Sequence, residues 1–132
     1  YLKEDRIKVE RDRIKGLITY HDPCQSTRNS GVIEEPRHVL NQLTSHFIEM
    51  TPNREYNLCC GGGGGLVALE NETFREETGE AKVNQIKETG ATIVATGCEN
   101  CHTQLKFLGD RYKTEVKVEF LTNLVANSLV LE

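Results

Sequence analysis

The sequence predicts an α/β fold: about four strands in a mostly parallel sheet, helices on both faces, and cysteines at the C-terminal edge of the strands. Three observations carry this expectation. Short apolar runs rich in β-branched residues alternate with longer stretches of helical periodicity. That alternation implies parallel pairing through right-handed crossovers. The cysteines stand just beyond the first, second and third apolar runs rather than scattered along the chain. A chain of 132 residues, 37% hydrophobic and 27% charged, suits one domain with a single core.

Each element has its own justification. Residues 1–15 hold ten charges in fifteen positions, with a thin apolar stripe of Leu2, Ile7, Val9 and Ile14. They are read as a solvated connector helix from an upstream domain, because the chain opens on Tyr1 rather than Met. Residues 16–130 form the domain proper, and Leu131 and Glu132 are read as vector residues. LITYH after Gly16 is the first strand, stopped by Asp22-Pro23, with Cys24 next. EEPRHVLNQLTSHF is a helix: Pro36 is tolerated in its first turn and the acidic residues favour that end. Phe47 to Met50 begins a second strand, and Thr51-Pro52-Asn53 turns the chain. Five consecutive glycines, Gly61 to Gly65, form a tight loop, since that run carries a large entropic cost inside a helix or strand. GEAKVNQIKETG is a helix capped by Gly90. ATIVAT is the clearest strand, Asn100 to Gly109 a helix, EVKVEFL an alternating strand and LTNLVANSL the last helix. The core is expected around Ile18, Ile93, Val94, Val116 and Val118.

The composition excludes several function classes. Sixteen Lys+Arg against twenty Asp+Glu leave a net charge of −4. That balance argues against a nucleic-acid binder, which must neutralise phosphates. No apolar run approaches the ~20 residues a membrane span needs, and no secretion leader is seen. An odd count of five cysteines without a secretory context points to metal binding or redox chemistry rather than a disulfide framework.

The cysteines then define the candidate site. Cys24 follows strand one, Cys59 and Cys60 follow strand two, and Cys98 and Cys101 follow strand three. In a parallel sheet these positions share the ligand-binding edge. The Cys98-x-x-Cys101 spacing places two sulfurs within reach of one ion or cluster, the second on the first turn of a helix, where the dipole favours thiolate. Adjacent Cys59 and Cys60 suit bridging several metal atoms better than one tetrahedral zinc. Gly61, Gly62 and Gly63, lacking Cβ atoms, let backbone N–H groups approach sulfur. A Cys₄ structural zinc site, a thioredoxin-like dithiol and a phosphate loop are the weighed alternatives; the last lacks a following Gly-Lys-Ser/Thr. His38 and His46 read as surface residues, whereas His21 and His102 neighbour cysteines.

YHDPC, CCGGGGG and CENC together resemble the cysteine-rich CCG domain of the B-type heterodisulfide reductase proteins and their relatives. The gaps are 34 residues between Cys24 and Cys59 and 37 between Cys60 and Cys98. The resemblance spans about residues 17–128, and EEPR (Glu34 to Arg37) also looks like these proteins. CENCHTQL and VEFLTNLV look most like the iron–sulfur subunits of sulfate-reducer respiratory membrane complexes. The resemblance implies that Cys24, Cys59, Cys60, Cys98 and Cys101 ligate a four-iron [4Fe-4S] cluster, non-cubane in heterodisulfide reductase. It implies electron transfer and reduction of a disulfide substrate to thiols, with His21 and His102 as proton-carrying candidates by chain position. It implies an upstream ferredoxin-like domain and partner subunits of a membrane-associated complex, with the domain cytoplasmic, at the inner face of the membrane through those partners. In some relatives one paired CCG unit holds zinc instead, so a zinc module with a docking role is the alternative.

Overall fold

A computed structural model describes residues 1–131; Glu132, read with Leu131 as vector-derived, lies outside the described residues. Four strands, β1 (Ile18–Tyr20), β2 (Phe47–Ile48), β3 (Ile93–Thr96) and β4 (Lys117–Phe120), form one sheet in the order β2-β1-β3-β4. Every pairing is parallel, and Thr19 and Val118 lie on either side of Val94. The helices are α1 (Glu34–Leu43), α2 (Glu72–Thr89), α3 (Glu99–Tyr112) and α4 (Leu121–Ser128). The expected α/β architecture is therefore present.

Strand alternation assigns the two faces. Ile18, Tyr20, Ile93 and Ala95 pack with Leu40 and Leu43 of α1 and Leu124 of α4. Val94 packs on the other side with Val83 and Ile86 of α2 and Leu105 and Leu108 of α3. A central parallel strand is covered on both faces, which is why all four residues of β3 are buried and why its sequence is nearly all apolar. Val116 and Val118, expected in the core, are half-buried and flank it, because β4 is an edge strand.

The differences from expectation have local causes. Residues 1–15 are not an α-helix: a 3₁₀ turn at Leu2–Glu4 is followed by turns and bends, with Asp5 and Asp12 left-handed, and Val9 forms an antiparallel bridge with Leu129. Asp12 N–H donates to the Leu43 carbonyl, and its carboxylate accepts from Ser45 N–H and Oγ, so the charged segment is tied down along α1 and α4. Helix α1 stops at Leu43 because the Thr44 hydroxyl accepts from His46 N–H, a local bond that competes with helix continuation. Helix α2 begins seven residues earlier than periodicity suggests. Asn71 caps it by accepting from Phe74 N–H at 3.0 Å, and Glu72 complements the dipole. Its end is as expected, with Gly90 left-handed at φ 67°.

Glycine inside α2 has a packing reason. A Cβ on Gly79 would lie 2.4 Å from a Leu108 methyl. The missing side chain lets α2 and α3 approach closely over the sheet, and it fixes where α3 presents Cys101.

Candidate metal centre

Three segments converge beyond the C-terminal ends of β1 and β3. The first is the continuation of β1. His21 N–H donates to the Ala95 carbonyl, so His21 prolongs the strand and projects to the α2/α3 side, opposite Tyr20. Asp22, 1% exposed, is clamped by Arg37, 3% exposed, through Nη1 and Nη2 at 2.8 Å each. Arg37 Nε also donates to Glu49 at 2.6 Å, and Arg54 N–H donates to Asp22 at 2.8 Å. A planar bidentate pair with its remaining donors and acceptors satisfied is the condition under which buried charges are tolerated. The clamp joins the end of β1 to α1 and to the strand after it, and it sets the direction in which Pro23 and Cys24 leave the sheet. Cys24, half-buried, opens a short π-helical turn at Gln25–Asn29.

The second segment is the glycine loop. Gly61 N–H donates to Cys59 Sγ at 3.3 Å and Gly62 N–H to Cys60 Sγ at 3.4 Å. Two of the predicted cofactor-binding glycines thus bond the cysteine sulfurs themselves. A Cβ on Gly61 would meet the Thr78 backbone at 2.8 Å, and one on Gly62 would meet Gln104 Cβ at 2.7 Å. The chain lies against α2 and α3 at a distance that excludes any side chain. Around Gly63 a Cβ would meet nothing within 4 Å, so the cradle opens there.

The third segment is the start of α3, where Cys98 is the N-cap residue and Cys101 sits in the first turn. Cys101 is buried and Cys98 half-buried against the same apolar cluster. Cys60 and Cys101 approach to 3.5 Å between sulfurs. With His21 they form a buried trio whose candidate ligand atoms all lie within 4.8 Å of one another. Cys24, Cys59 and Cys98 stand outside that trio. Cys59 is exposed, and its thiol lies beside Cys60. His102 stacks on Phe120, with ring centroids 4.0 Å apart, and is not in the trio.

Burial and mutual contact set the electrostatics. The hydrogen bond with Cys101, followed by burial, pushes the Cys60 thiol up to about 12. Contact with Cys60 and burial push Cys59 up as well. Both thiols stay protonated in the metal-free chain, so binding a metal there releases protons. Burial, then Lys82, hold the His21 imidazole well below its usual range and therefore neutral. Both His21 ring nitrogens are buried without a hydrogen-bond partner, as are the Thr19 and Thr96 hydroxyls on the same side of the sheet. Orphaned polar atoms beside a concentration of thiols are what a ligand-binding cavity leaves when described by protein atoms alone. The donor set, the N–H-lined sulfurs and the side-chain-free cradle fit an iron–sulfur centre.

Lys82 and the Asp22–Arg37 clamp were not singled out by the sequence. Lys82 lies on α2, 1% exposed, and its ammonium donates to Met50, which packs in the same cluster as Cys60 and Cys101. The available signal was positional: Lys82 falls three residues after Gly79 and four before Ile86, on the buried stripe. An apolar hollow lined by Leu2, Ile7, Val39 and Val125 lies between the N-terminal segment, α1 and α4, and no cysteine lines it.

Comparison with known proteins identifies the family. A family model described as a cysteine-rich domain, CCG, matches residues 18–106. A protein of the dihydromethanophenazine:CoB–CoM heterodisulfide reductase of Methanosarcina barkeri is 37% identical over 131 residues, covering 98% of this chain and 32% of the relative. The Hdr-like menaquinol oxidoreductase iron–sulfur subunit 2 of Archaeoglobus fulgidus is 30% identical over 98% of this chain and 25% of its own length. A probable membrane-anchored ferredoxin of Chromohalobacter salexigens is 35% identical over 67% of this chain and 13% of its own length. The chain spans about a third of the length of the first of these relatives. No solved structure matches. Among the described residues no helix is long and apolar enough to cross a membrane.

Proposed function

The chain belongs to the cysteine-rich CCG domain family, and from that premise we propose that it is the iron–sulfur domain of a heterodisulfide-reductase-like oxidoreductase. In this reading Cys24, Cys59, Cys60, Cys98 and Cys101 hold a [4Fe-4S] cluster of the non-cubane kind. The single observation that carries it is the 3.5 Å approach of Cys60 and Cys101 in a buried trio with His21. When bound, such a group supplies one-electron steps, two of which, with two protons, convert a disulfide into two thiols.

The chain's own residues have distinct parts in this reading. The five thiols ligate. Gly61 and Gly62 N–H groups withdraw charge from the sulfurs of Cys59 and Cys60 and hold them in place. The open space at Gly63 admits the disulfide substrate. His21, whose Nδ1 and Nε2 are both unpartnered, is the first candidate to relay the proton for thiol release, as a neutral imidazole that accepts at one ring nitrogen and donates from the other. His102, packed on Phe120, is the second. Electrons arrive from a ferredoxin-like domain and from partner subunits of a membrane-associated complex, a setting that the names of the relatives support, and in this reading the domain lies at the cytoplasmic face.

The compact His21–Cys60–Cys101 trio favours one alternative, a zinc module with a docking role. Metal analysis of anaerobically purified and reconstituted chain separates the two. The cluster reading expects about four iron and four labile sulfide per chain, with an EPR signal. One zinc per chain, silent to EPR, with no bound iron overturns it in favour of the module.

A further inference from the structure

We propose that Lys82 is the fixed counter-charge of the cysteine centre, a positioning residue whose ammonium balances the thiolate-ligated group and sets its reduction potential. The proposal rests on the cysteine centre described above. It begins from an imbalance. Lys82 is among the most deeply buried side chains of the molecule, at 1% exposure. Its ammonium donates to Gln85 Oε1 and, at 3.7 Å, to Met50 Sδ, both neutral acceptors. Gln85 is itself fixed by donating from Nε2 to the Pro52 carbonyl at 2.5 Å. Among the described residues no carboxylate forms an ion pair with Lys82. The nearest buried carboxylate, Asp22, is already engaged by the Arg37 guanidinium and Arg54 N–H.

The contrast with Arg37 is instructive. Arg37 is equally buried, but two carboxylates answer it. A buried cation without an anion is expensive, and proteins pair such groups. The acidic groups left within electrostatic reach of Lys82, besides Asp22, are Cys60, Cys59 and Cys101. Burial lowers the ammonium's pKa, and Cys60, Asp22, Cys59 and Cys101 oppose that shift. As thiols these cysteines carry no charge; as metal ligands each is a thiolate. The missing anion therefore appears when the centre is loaded. Gln85 and Met50 fix the ammonium in advance, and Met50 belongs to the buried cluster that contains Cys60 and Cys101. A compact ammonium acts here as a point charge rather than as a bidentate fork. A positive charge facing the centre stabilises the more negative, reduced state, so its removal lowers the potential.

The test compares the wild-type chain with Lys82→Met and Lys82→Arg. Iron loading, the EPR-monitored potential and the melting temperature of the metal-free forms are measured. Lys82→Met is expected to melt no lower than wild type without metal, since an unanswered buried charge has been removed. It is expected to load iron and to be at least tenfold harder to reduce, a shift of about 59 mV for one electron. Lys82→Arg is expected to restore most of the shift. If Lys82→Met folds but fails to load iron, recovery of loading by Lys82→Arg supports the proposal and its failure overturns it. Equal potentials in wild type and Lys82→Met overturn it, as does a metal-free Lys82→Met that unfolds. If the wild type takes zinc and no iron, the cluster reading fails by itself. The counter-charge is then read from zinc affinity: a tenfold loss in Lys82→Met supports it and no loss overturns it. A wild type that binds neither metal removes both readings.

Discussion

On the α1/α4 face of the sheet, Ile18, Leu40, Leu43, Ile93, Ala95 and Leu124 bury one another in a dry aliphatic layer. On the α2/α3 face, Val83, Val94, Leu105 and Leu108 share the space with Cys60 and Cys101. His21 and Lys82 are buried on this side as well. Among strand residues and the positions that prolong them, the buried polar atoms without partners, on Thr19, His21 and Thr96, all project to this second side. The difference teaches that stability and chemistry are divided between the faces. The first layer is mostly aliphatic, with Tyr20 and the buried Ser128 of α4 as its polar members. The other places polar atoms where water is excluded and leaves them for something other than protein to satisfy.

The largest effect that would break this division lies at the joint between the faces. Arg37→Ala leaves Asp22, 1% exposed, without its bidentate partner. Removing one member of a buried pair costs about 3–5 kcal/mol. Urea denaturation of the metal-free chain should show a loss of that size, with iron loading lost too because the Pro23–Cys24 exit is no longer fixed. Next comes the dry face itself. Leu40→Ala removes a fully buried side chain and should cost about 2–5 kcal/mol. Below its lowered melting temperature this variant should still load iron to the wild-type level. A folded Leu40→Ala that loads none would show that the faces are coupled.

Smaller changes sharpen the comparison within the site face. Gly62→Ala pushes a methyl to 2.7 Å from Gln104 Cβ, and Gln104 is tied to Arg75 by two bonds of 2.9 Å. Overpacking of that kind costs about 1–3 kcal/mol. Gly63→Ala, with nothing within 4 Å, should leave the melt unchanged. Thermal melts of the two variants side by side check whether the loop is rigid at Gly62 and open at Gly63. Equal melts would contradict the cradle.

The sequence made much of this legible, for physical reasons that can be named. The four strands, their parallel pairing and the helices on both faces follow from apolar runs separated by helical crossovers, a pattern that local chemistry writes directly into residue order. ATIVAT reads as the clearest strand, and β3 lies there, fully buried inside the sheet. The first fifteen residues were misread because charge density suggests a solvated helix. Their structure comes instead from distant partners, Asp12 with Ser45 and Val9 with Leu129. The start of α2 was hidden because Asn71 and Glu72 look like loop residues until the cap is seen. Lys82 was illegible because the local sequence does not distinguish a buried lysine from the solvated ones around it. Only the packing of α2 on α3 through Gly79 reveals which side of the helix is enclosed. Asp22 read as a turn residue, and its role depends on an arginine fifteen positions away.

The claim that ties the two faces together is that the cysteines hold a cluster on a scaffold that folds without it. Cys60→Ser tests this most directly, because Cys60 is buried, contacts Cys101 and accepts from Gly62 N–H. Iron content, EPR spectrum and melting curve are recorded on the same anaerobically reconstituted sample. The account predicts that the iron signal of the wild type disappears while the metal-free melt stays within about 1 kcal/mol of wild type, as for the average substitution. A Cys60→Ser chain that no longer folds would contradict it, since a structural metal contributes its binding energy directly to folding.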